Sequence, residues 1–276
     1  MRFPVVVLLL HTCLGWERTP DGAALADGCW HVYLDVGSNI GVQVRKLFEP
    51  ERYGGALVLP VFERFFGSAE QRRGSTCAIG IEPNPRHIPR LRGVEQRYKS
   101  LGWRTHFLTR TAASVAAGKA KFYFNDNFFD SAKHNGWGAA LFNAHRDHGR
   151  DTSSVVAKLD LAKFLGQILA RRLPPRPEGA PNASTVMKVD IEGAEYDVMS
   201  ALLARGVLCD LDLLFAEFHP SLARISAGLE FQRPWARDNF PDFLRMVTQH
   251  ASCRVEVSSV DDESFLEDGM PLPSRG

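Results

Sequence analysis

The chain has 276 residues, of which 45% are hydrophobic and 24% are charged, enough to bury a full core and near the upper size for one domain. Lys plus Arg number 33 and Asp plus Glu number 32, so the formal net charge is +1. This balance excludes a strong overall field, and we therefore expect no nucleic-acid partner.

Residues 1–28 form an N-terminal segment that precedes the predicted domain. An apolar run from Val5 to Leu10 follows Arg2 and resembles a signal peptide with a small-residue end. The run is shorter than the roughly 20 apolar residues that cross a bilayer. The alternatives are a cleaved secretory signal or a strand or helix packed on the domain. The secretory pathway is favoured if residues 1–16 act as a signal, and the cytoplasm otherwise; membrane association is expected only from an uncleaved anchor.

The first predicted strand runs directly into a glycine turn. Val32, Leu34 and Val36 alternate around Tyr33, and Gly37 and Gly41 follow. Glycine permits a tight bend and close approach of a ligand to the backbone, and the next helix offers its N-terminal NH groups. Such turns also join strands to helices in proteins that bind nothing, so this motif alone does not decide the function.

The second predicted strand, residues 77–81, ends in Glu82 and a proline turn. An acid at the end of the strand after a glycine loop commonly accepts hydrogen bonds from ribose hydroxyls; the alternative is a solvated loop glutamate. Asp35 and Glu82 are 47 positions apart, compared with about 20 in a compact dinucleotide fold. We therefore predict an aromatic-rich insertion around residues 48–75, which either packs over the cofactor or shapes an acceptor pocket, or only elaborates the outer layer.

A third strand is predicted over residues 103–108. A second insertion, residues 119–152, begins with a predicted strand over residues 121–124 and continues as a Gly-, Asn- and His-rich loop. Loops at the ligand end of a sheet often select the substrate. We expect this loop to contribute Trp137, His145 and His148 to acceptor binding.

The later elements again place acids at strand ends. A helix over residues 159–172 and a proline-rich linker, residues 173–181, precede a strand that ends at Asp190 and Glu192. A helix that stops at Gly206 follows, and Glu195 lies in its first turn, where the helix dipole favours an acid. A strand over residues 212–218 leads to Glu217 and His219. A helix over 243–250, a last strand over 253–257 and a mobile acidic tail, residues 259–276, complete the chain.

Five cysteines are scattered without CxxC or Cys/His ligand spacing, so neither a zinc site nor a disulfide framework follows. We interpret Cys77 and Cys209 as small buried hydrophobes. The sequon Asn182-Ala183-Ser184 would be usable in a secreted protein.

Three blocks together resemble one enzyme family. They are DVGSNIG from Asp35, GIEPNP from Gly80 and KVDIEGAE from Lys188, with weaker support from LLFAEFHP at Leu213. The chain resembles the FkbM-type methyltransferases over roughly residues 30–257. The resemblance implies a Rossmann-like class I fold, an α/β structure with a mostly parallel seven-stranded sheet and helices on both faces. It places the methyltransferase domain at residues 29–258. It also implies S-adenosylmethionine as cofactor and methyl transfer to a hydroxyl of a sugar, a glycan or a small metabolite.

By the same resemblance, one group of residues surrounds the cofactor: Asp35, Gly37, Ser38, Asn39, Gly41, Glu82, Pro83 and Ala112. Methyl transfer to oxygen usually needs a base, and the candidates are Asp190, Glu217 and His219, with Glu192 as a substrate ligand. Asp190 and Glu192 could also bind a cation, but the ligand spacing is undefined and we predict no metal.

Two other function classes remain as alternatives. One is a catalytically inactive chain that keeps the fold as a binding or scaffold protein. The other, a nicotinamide oxidoreductase, is weaker because the loop reads DxGSNxG and not GxGxxG. The acceptor and the oligomeric state do not follow from the sequence.

Overall fold

We describe a computed structural model of the chain. It describes residues 21–124, 141, 152–219, 233–250, 252–258, 260, 262–265 and 268–274, without the side chains of 124, 152 and 233–238.

The strands, in chain order, are β1 (His31–Val36), β2 (Thr76–Glu82), β3 (Arg104–Thr109), β4 (Thr111–Ser114), β5 (Gly118–Phe124), β6 (Thr152–Asp160), β7 (Thr185–Val189), β8 (Leu213–Ala216) and β9 (Glu256–Ser258). The α-helices are α1 (Gly22–Ala26), α2 (Val42–Phe48), α3 (Leu59–Phe66), α4 (Ala69–Ser75), α5 (Ile88–Ser100), α6 (Leu161–Leu169), α7 (Glu195–Ala204) and α8 (Arg233–Thr248). Short 3-10 turns span Pro50–Arg52, Pro85–His87 and Leu208–Asp210. Within these ranges no helix has the length and apolar character that crossing a membrane requires.

The main sheet has six strands in the order β3-β2-β1-β7-β8-β9, and every neighbouring pair is parallel. The α/β fold class is therefore confirmed. The predicted count of seven strands is wrong for the described residues. Since β5 pairs antiparallel with β6 in a separate three-stranded sheet of order β4-β6-β5, it does not extend the main sheet.

Helices cover both faces of the main sheet. Val32, Leu34 and Val36 of β1 belong to a core shared with α6 and α7, whereas Tyr33 belongs to a second core with α2 and α3. All six residues of β1 are buried, as expected of a central parallel strand with two covered faces. Because both faces are covered, a ligand can reach the sheet only at the ends of its strands.

The first insertion elaborates an outer layer. Helices α3 and α4 lie in it, and Phe62 and Phe66 of α3 pack edge-on against Tyr33. Its described residues do not line the cleft at the ligand edge of the sheet. Part of this insertion therefore packs over the sheet face, and a role at the acceptor stays a prediction.

The interpretation of Cys77 and Cys209 as small buried hydrophobes is wrong, because both residues form disulfides. Cys29 forms a disulfide with Cys77, and Cys209 forms one with Cys253. The partners are 48 and 44 positions apart, and they meet because strand pairing places Cys77 beside the start of β1 and Cys253 beside the turn before β8. Neither disulfide could be predicted from the spacing of cysteines along the sequence.

The C-terminal tail, expected to be mobile, is packed against α2 in its described part. The Asp262 carboxylate lies 3.1 Å from Lys46 Nζ and accepts a hydrogen bond from Val58 N. Asp268 Oδ2 accepts hydrogen bonds from Arg45 at 2.5 Å and from the Tyr53 hydroxyl at 2.8 Å. These carboxylates add counter-charges to two buried cations of α2, Lys46 and Arg45, the second of which also pairs with Glu49.

Candidate active site

The glycine turn after β1 is held by two neighbouring strands. Gly37 N and Ser38 N donate to the Ile81 carbonyl at 3.0 and 3.1 Å. Gly37 has φ +89°, and a Cβ added there would overlap the Asp190 carbonyl oxygen. A side chain is therefore excluded from Gly37 by the β7 backbone itself.

Glu82 joins the glycine turn to the proline turn after β2. Its Oε2 accepts from Asn39 N at 2.6 Å, and its Oε1 accepts from Asn84 N at 2.7 Å. Asn39 adopts φ +49° at this point, a left-handed conformation that Asn tolerates better than most residues. Each carboxylate oxygen has a second lone pair, so Glu82 keeps the capacity to accept hydrogen bonds from a ligand.

Asp35 is buried without compensation. The side chain is fully buried, and neither carboxylate oxygen has a hydrogen-bond partner among the described residues. Burial raises the pKa of Asp35 to about 6, although the positive charge of Lys188 opposes this. An unpartnered buried carboxylate is costly to ionise, so the protonated form of Asp35 is favoured over a wider pH range than usual.

An open cleft of about 630 Å³ lies at the carboxyl ends of β1, β2 and β7. Five of the expected cofactor residues line it, namely Gly37, Asn39, Glu82, Pro83 and Ala112. Asp35, Ser38 and Gly41 do not. Ser38 Oγ donates to the Asp35 carbonyl, and Gly41 caps α2 with φ +84°, so both act in shaping the turn.

The candidate catalytic residues meet beside this cleft because β7 and β8 are adjacent. His219 Nε2 lies 3.3 Å from Glu217 Oε1, 3.8 Å from Glu192 Oε2 and 3.9 Å from Asp190 Oδ1. Asp190 and Glu192 also line the cleft. The structure thus brings together the four residues that the sequence placed at two separate strand ends.

Glu195 holds this group together, a role that the sequence interpretation missed. The side chain is fully buried and turns back from α7, so that Oε1 accepts from Ile191 N at 2.9 Å and Oε2 accepts from Gly193 N at 2.9 Å. His219 Nδ1 donates to the same Oε1 at 3.0 Å. Glu195 therefore fixes both the turn formed by Asp190, Ile191, Glu192 and Gly193, which we call the DIEG turn, and one nitrogen of His219.

His219 is cationic in this arrangement. Burial would lower its pKa, but hydrogen bonds to Glu195 and Glu217 and the nearby charge of Glu192 outweigh burial and raise the pKa to about 11. A pKa in this range favours the imidazolium form of His219 at neutral pH. As an imidazolium, His219 donates from both nitrogens and cannot act as a general base.

Lys188 supplies a second, half-buried cation. Its Nζ donates to Asp190 Oδ2 at 2.8 Å. Burial would raise the pKa of Asp190, but the charge and hydrogen bond of Lys188 overcome burial and lower it. Ligand atoms of Asp190, Glu217 and His219 lie within 4.8 Å of one another and could hold a divalent cation. Lys188 and His219 already pair with these carboxylates, and we keep the prediction of no metal.

The docked tail also reaches this region. Burial raises the pKa of Glu263, and the charges of Glu217 and Asp190 add to the effect. A smaller cavity of about 360 Å³ lies between the tail and the sheet and is lined in part by Lys188, Glu217 and Asp262.

Several cleft residues were not predicted from the sequence. Asn84, His87, Phe122 and Leu141 line the cleft alongside the expected residues. Asn84 lies within the GIEPNP block and could have been found there; Phe122 enters only because β5 pairs with β6. Trp137, His145 and His148 lie outside the described residues, and their role stays a prediction.

The comparisons with known proteins agree with this geometry. Residues 35–255 match the family model described as the methyltransferase FkbM domain. No curated protein and no solved structure matches the chain. The matched range begins at the glycine turn, includes every residue of the cleft and ends just before β9. The chain therefore belongs to the FkbM methyltransferase family and is a methyltransferase.

Proposed function

We propose that the chain transfers the methyl group of S-adenosylmethionine to a hydroxyl oxygen of a sugar, a glycan or a small metabolite. The observation that carries this proposal is the convergence of Asp190, Glu192, Glu217 and His219 on one side of a cleft whose other side is the glycine turn and Glu82.

The cleft residues fit S-adenosylmethionine. Glu82 has acceptor capacity for the ribose hydroxyls, and Gly37 and Asn39 line the part of the cleft where the methionine part would lie. Pro83 and Ala112 line the cleft as small apolar surfaces for the adenine, with hydrogen bonds expected from the backbone after β3. When bound, the cofactor supplies an electrophilic methyl group on a sulfonium.

The acceptor side favours a neutral polyhydroxylated molecule. Carboxylates accept hydrogen bonds from hydroxyls and repel phosphate or carboxylate groups. Asp190 and Glu217 would orient the acceptor hydroxyl, and one of them would take its proton. Trp137, His145 and His148 are proposed to complete the acceptor site, and Glu192 would bind a neighbouring hydroxyl.

His219 and Lys188 would keep these carboxylates in place. The imidazolium donates to Glu217 and Glu195, and the ammonium donates to Asp190. Holding reacting groups in line supplies much of the acceleration, worth several kcal/mol. In this proposal His219 positions the base and does not itself accept the proton, which revises the role expected from the sequence.

The cofactor is tested by calorimetric titration with S-adenosylmethionine, S-adenosylhomocysteine and NAD. We expect binding of the two adenosyl ligands only. Ala112→Leu narrows the cleft without changing charge and should weaken binding, whereas Ala69→Leu, at the surface of α4, should not. Binding of NAD alone would overturn the proposal in favour of an oxidoreductase.

The acceptor is tested by following methyl transfer from labelled cofactor to neutral glycans, sugar phosphates and amines. We expect transfer to neutral glycans, which acetylation of their hydroxyls should abolish. Glu217→Gln and Asp190→Asn should retain cofactor binding and lose turnover. Transfer to amines only would contradict O-methylation, and cofactor binding without transfer to any acceptor would favour the scaffold alternative.

A further inference from the structure

Both disulfides are integral to the fold. Cys29 and Cys77 are 1% and 2% exposed and lie in the main hydrophobic core, where their Cα atoms are 5.8 Å apart. Cys209 and Cys253 have Cα atoms 4.4 Å apart and link the turn before β8 to the start of β9. Both separations lie in the range that a disulfide requires. Every cysteine of the described residues is paired.

Two structural disulfides indicate where the chain folds. Disulfides persist in the lumen of the endoplasmic reticulum, in the periplasm and outside the cell, and are rare where thiols are kept reduced. A single pair of neighbouring cysteines could arise by chance and would not indicate the compartment. Two pairs from four cysteines more than 40 positions apart indicate an oxidising compartment.

Asn182 provides an independent observation. It begins the sequon Asn182-Ala183-Ser184, the one sequon of the whole sequence, and its side chain is exposed. The flanking chain is fixed, since Pro181 O accepts from Trp30 Nε1 at 2.8 Å and Ser184 Oγ donates to Phe65 O at 3.0 Å. The acceptor asparagine therefore projects to solvent from an ordered loop.

The position of Asn182 leaves the active site free. The loop precedes Thr185, the first residue of β7, whereas the cleft lies beyond Val189 at the other end of that strand. A glycan on Asn182 would project from the edge of the sheet opposite the cleft. Modification there is compatible with access of both ligands.

We propose that Asn182 carries an N-linked glycan and that the chain matures, with both disulfides formed, in the secretory lumen. In the glycosylation step, the Asn182 amide nitrogen forms a bond to the anomeric carbon of a glycosyl diphosphate donor. The bond from that carbon to the diphosphate breaks, and the amide nitrogen gives up one proton to a base. Each disulfide forms by loss of two protons and two electrons to a thiol–disulfide oxidant, which leaves as a dithiol.

The first test is expression of the full chain with its own N-terminus in cultured animal cells, followed by intact mass measurement before and after treatment with peptide N-glycosidase. We expect the glycosidase to lower the mass of the chain. Asn182→Gln should abolish this change in mass. The control variant Asn239→Gln, which replaces an exposed asparagine outside any sequon, should show the same change in mass as the unmodified chain. A chain that has the same mass with and without the enzyme overturns the glycosylation.

The second test measures the thiols of the same material by alkylation of the denatured chain with and without reductant. We expect Cys29, Cys77, Cys209 and Cys253 to react only after reduction. Free thiols at these four positions, or recovery of the chain from the cytosol, overturn the proposal. Neither readout depends on methyl transfer, so failure here would leave the proposed activity untouched.

Discussion

Asp35 makes the stability of the ligand-free protein depend on pH. Its carboxylate is buried without a partner, and its pKa is raised from 3.8 to about 6. A group whose pKa is higher in the folded state contributes stability below its unfolded pKa and loses it as the pH rises through the folded value. Asp35 should therefore destabilise the ligand-free protein progressively between about pH 4 and pH 6.

We predict that Asp35→Asn stabilises the ligand-free protein by roughly 1–3 kcal/mol at pH 8, with the gain disappearing near pH 4. The reason is that the variant has no buried charge to ionise. The same variant should weaken S-adenosylmethionine binding less than Ala112→Leu does, because Asp35 does not line the cleft. Urea unfolding at several pH values and titration calorimetry measure the two effects.

The control for this prediction is Asp242→Asn, at a side chain that is 76% exposed. Its stability relative to the unmodified protein should not vary between pH 4 and pH 8. An Asp35→Asn variant that behaves like this control would contradict the assignment of a buried unpartnered charge.

Glu195 is a single residue whose effect is to position His219. We predict that Glu195→Gln lowers kcat/KM about 100-fold, because the DIEG turn and His219 lose their common anchor. The variant should also lower the pKa of His219, which hydrogen bonds to Glu195 and Glu217 raise to about 11. Steady-state kinetics and NMR titration of the imidazole measure these changes.

Glu70→Gln, at an exposed position of α4, is the matched control and should change neither quantity. A purely structural role for Glu195 would lower thermal stability and leave the titration of His219 in the active fraction unaltered. That outcome would contradict the role of Glu195 in positioning His219.

At the scale of elements, the close contact between the β1 turn and β7 explains why the site needs glycine at position 37. We predict that Gly37→Ala costs roughly 2–4 kcal/mol of stability, from the left-handed backbone and from overlap with the Asp190 carbonyl. Gly55 has the same φ of +89° with nothing within 4 Å of an added Cβ. Gly55→Ala should therefore cost only about 1 kcal/mol.

Thermal unfolding of both variants separates the two contributions. If Gly37→Ala and Gly55→Ala lose equal stability, then backbone conformation alone explains Gly37 and the contact with β7 carries no energetic weight. The comparison is meaningful because the two positions differ in their surroundings and not in φ.

At the scale of the whole molecule, the C-terminal tail completes the fold. Arg45 of α2 is fully buried and is shared between Glu49 and Asp268. We predict that Asp268→Asn destabilises the protein by about 2–4 kcal/mol, because it leaves a buried cation short of one partner. Urea unfolding measures the loss.

Glu256→Gln removes one partner of the exposed Arg64–Glu256 pair and should cost less than about 1 kcal/mol. Equal losses in the two variants would indicate that the tail contact contributes no more than a surface ion pair. In that case the tail would be dispensable for stability.

Much of the framework was predictable because it is encoded locally. The period-two run at Val32, Leu34 and Val36 and the acids at Glu82 and Asp190 predict strands that end at a common edge, and β1, β2 and β7 end there. The second sheet was not predicted in full, because β4 and β6 pair across an insertion and their sequences carry no local signal of that partner.

The sequence by itself determined the family, the glycine turn and the strand ends at which the site is built, since turn chemistry and hydrophobic periodicity are properties of neighbouring residues. Only the tertiary structure decided that Glu195 anchors His219, that His219 is a cation, that Asp35 is isolated, and which cysteines pair. These properties depend on distances between residues far apart in the chain. They are set by strand register and burial, and local sequence patterns do not specify either.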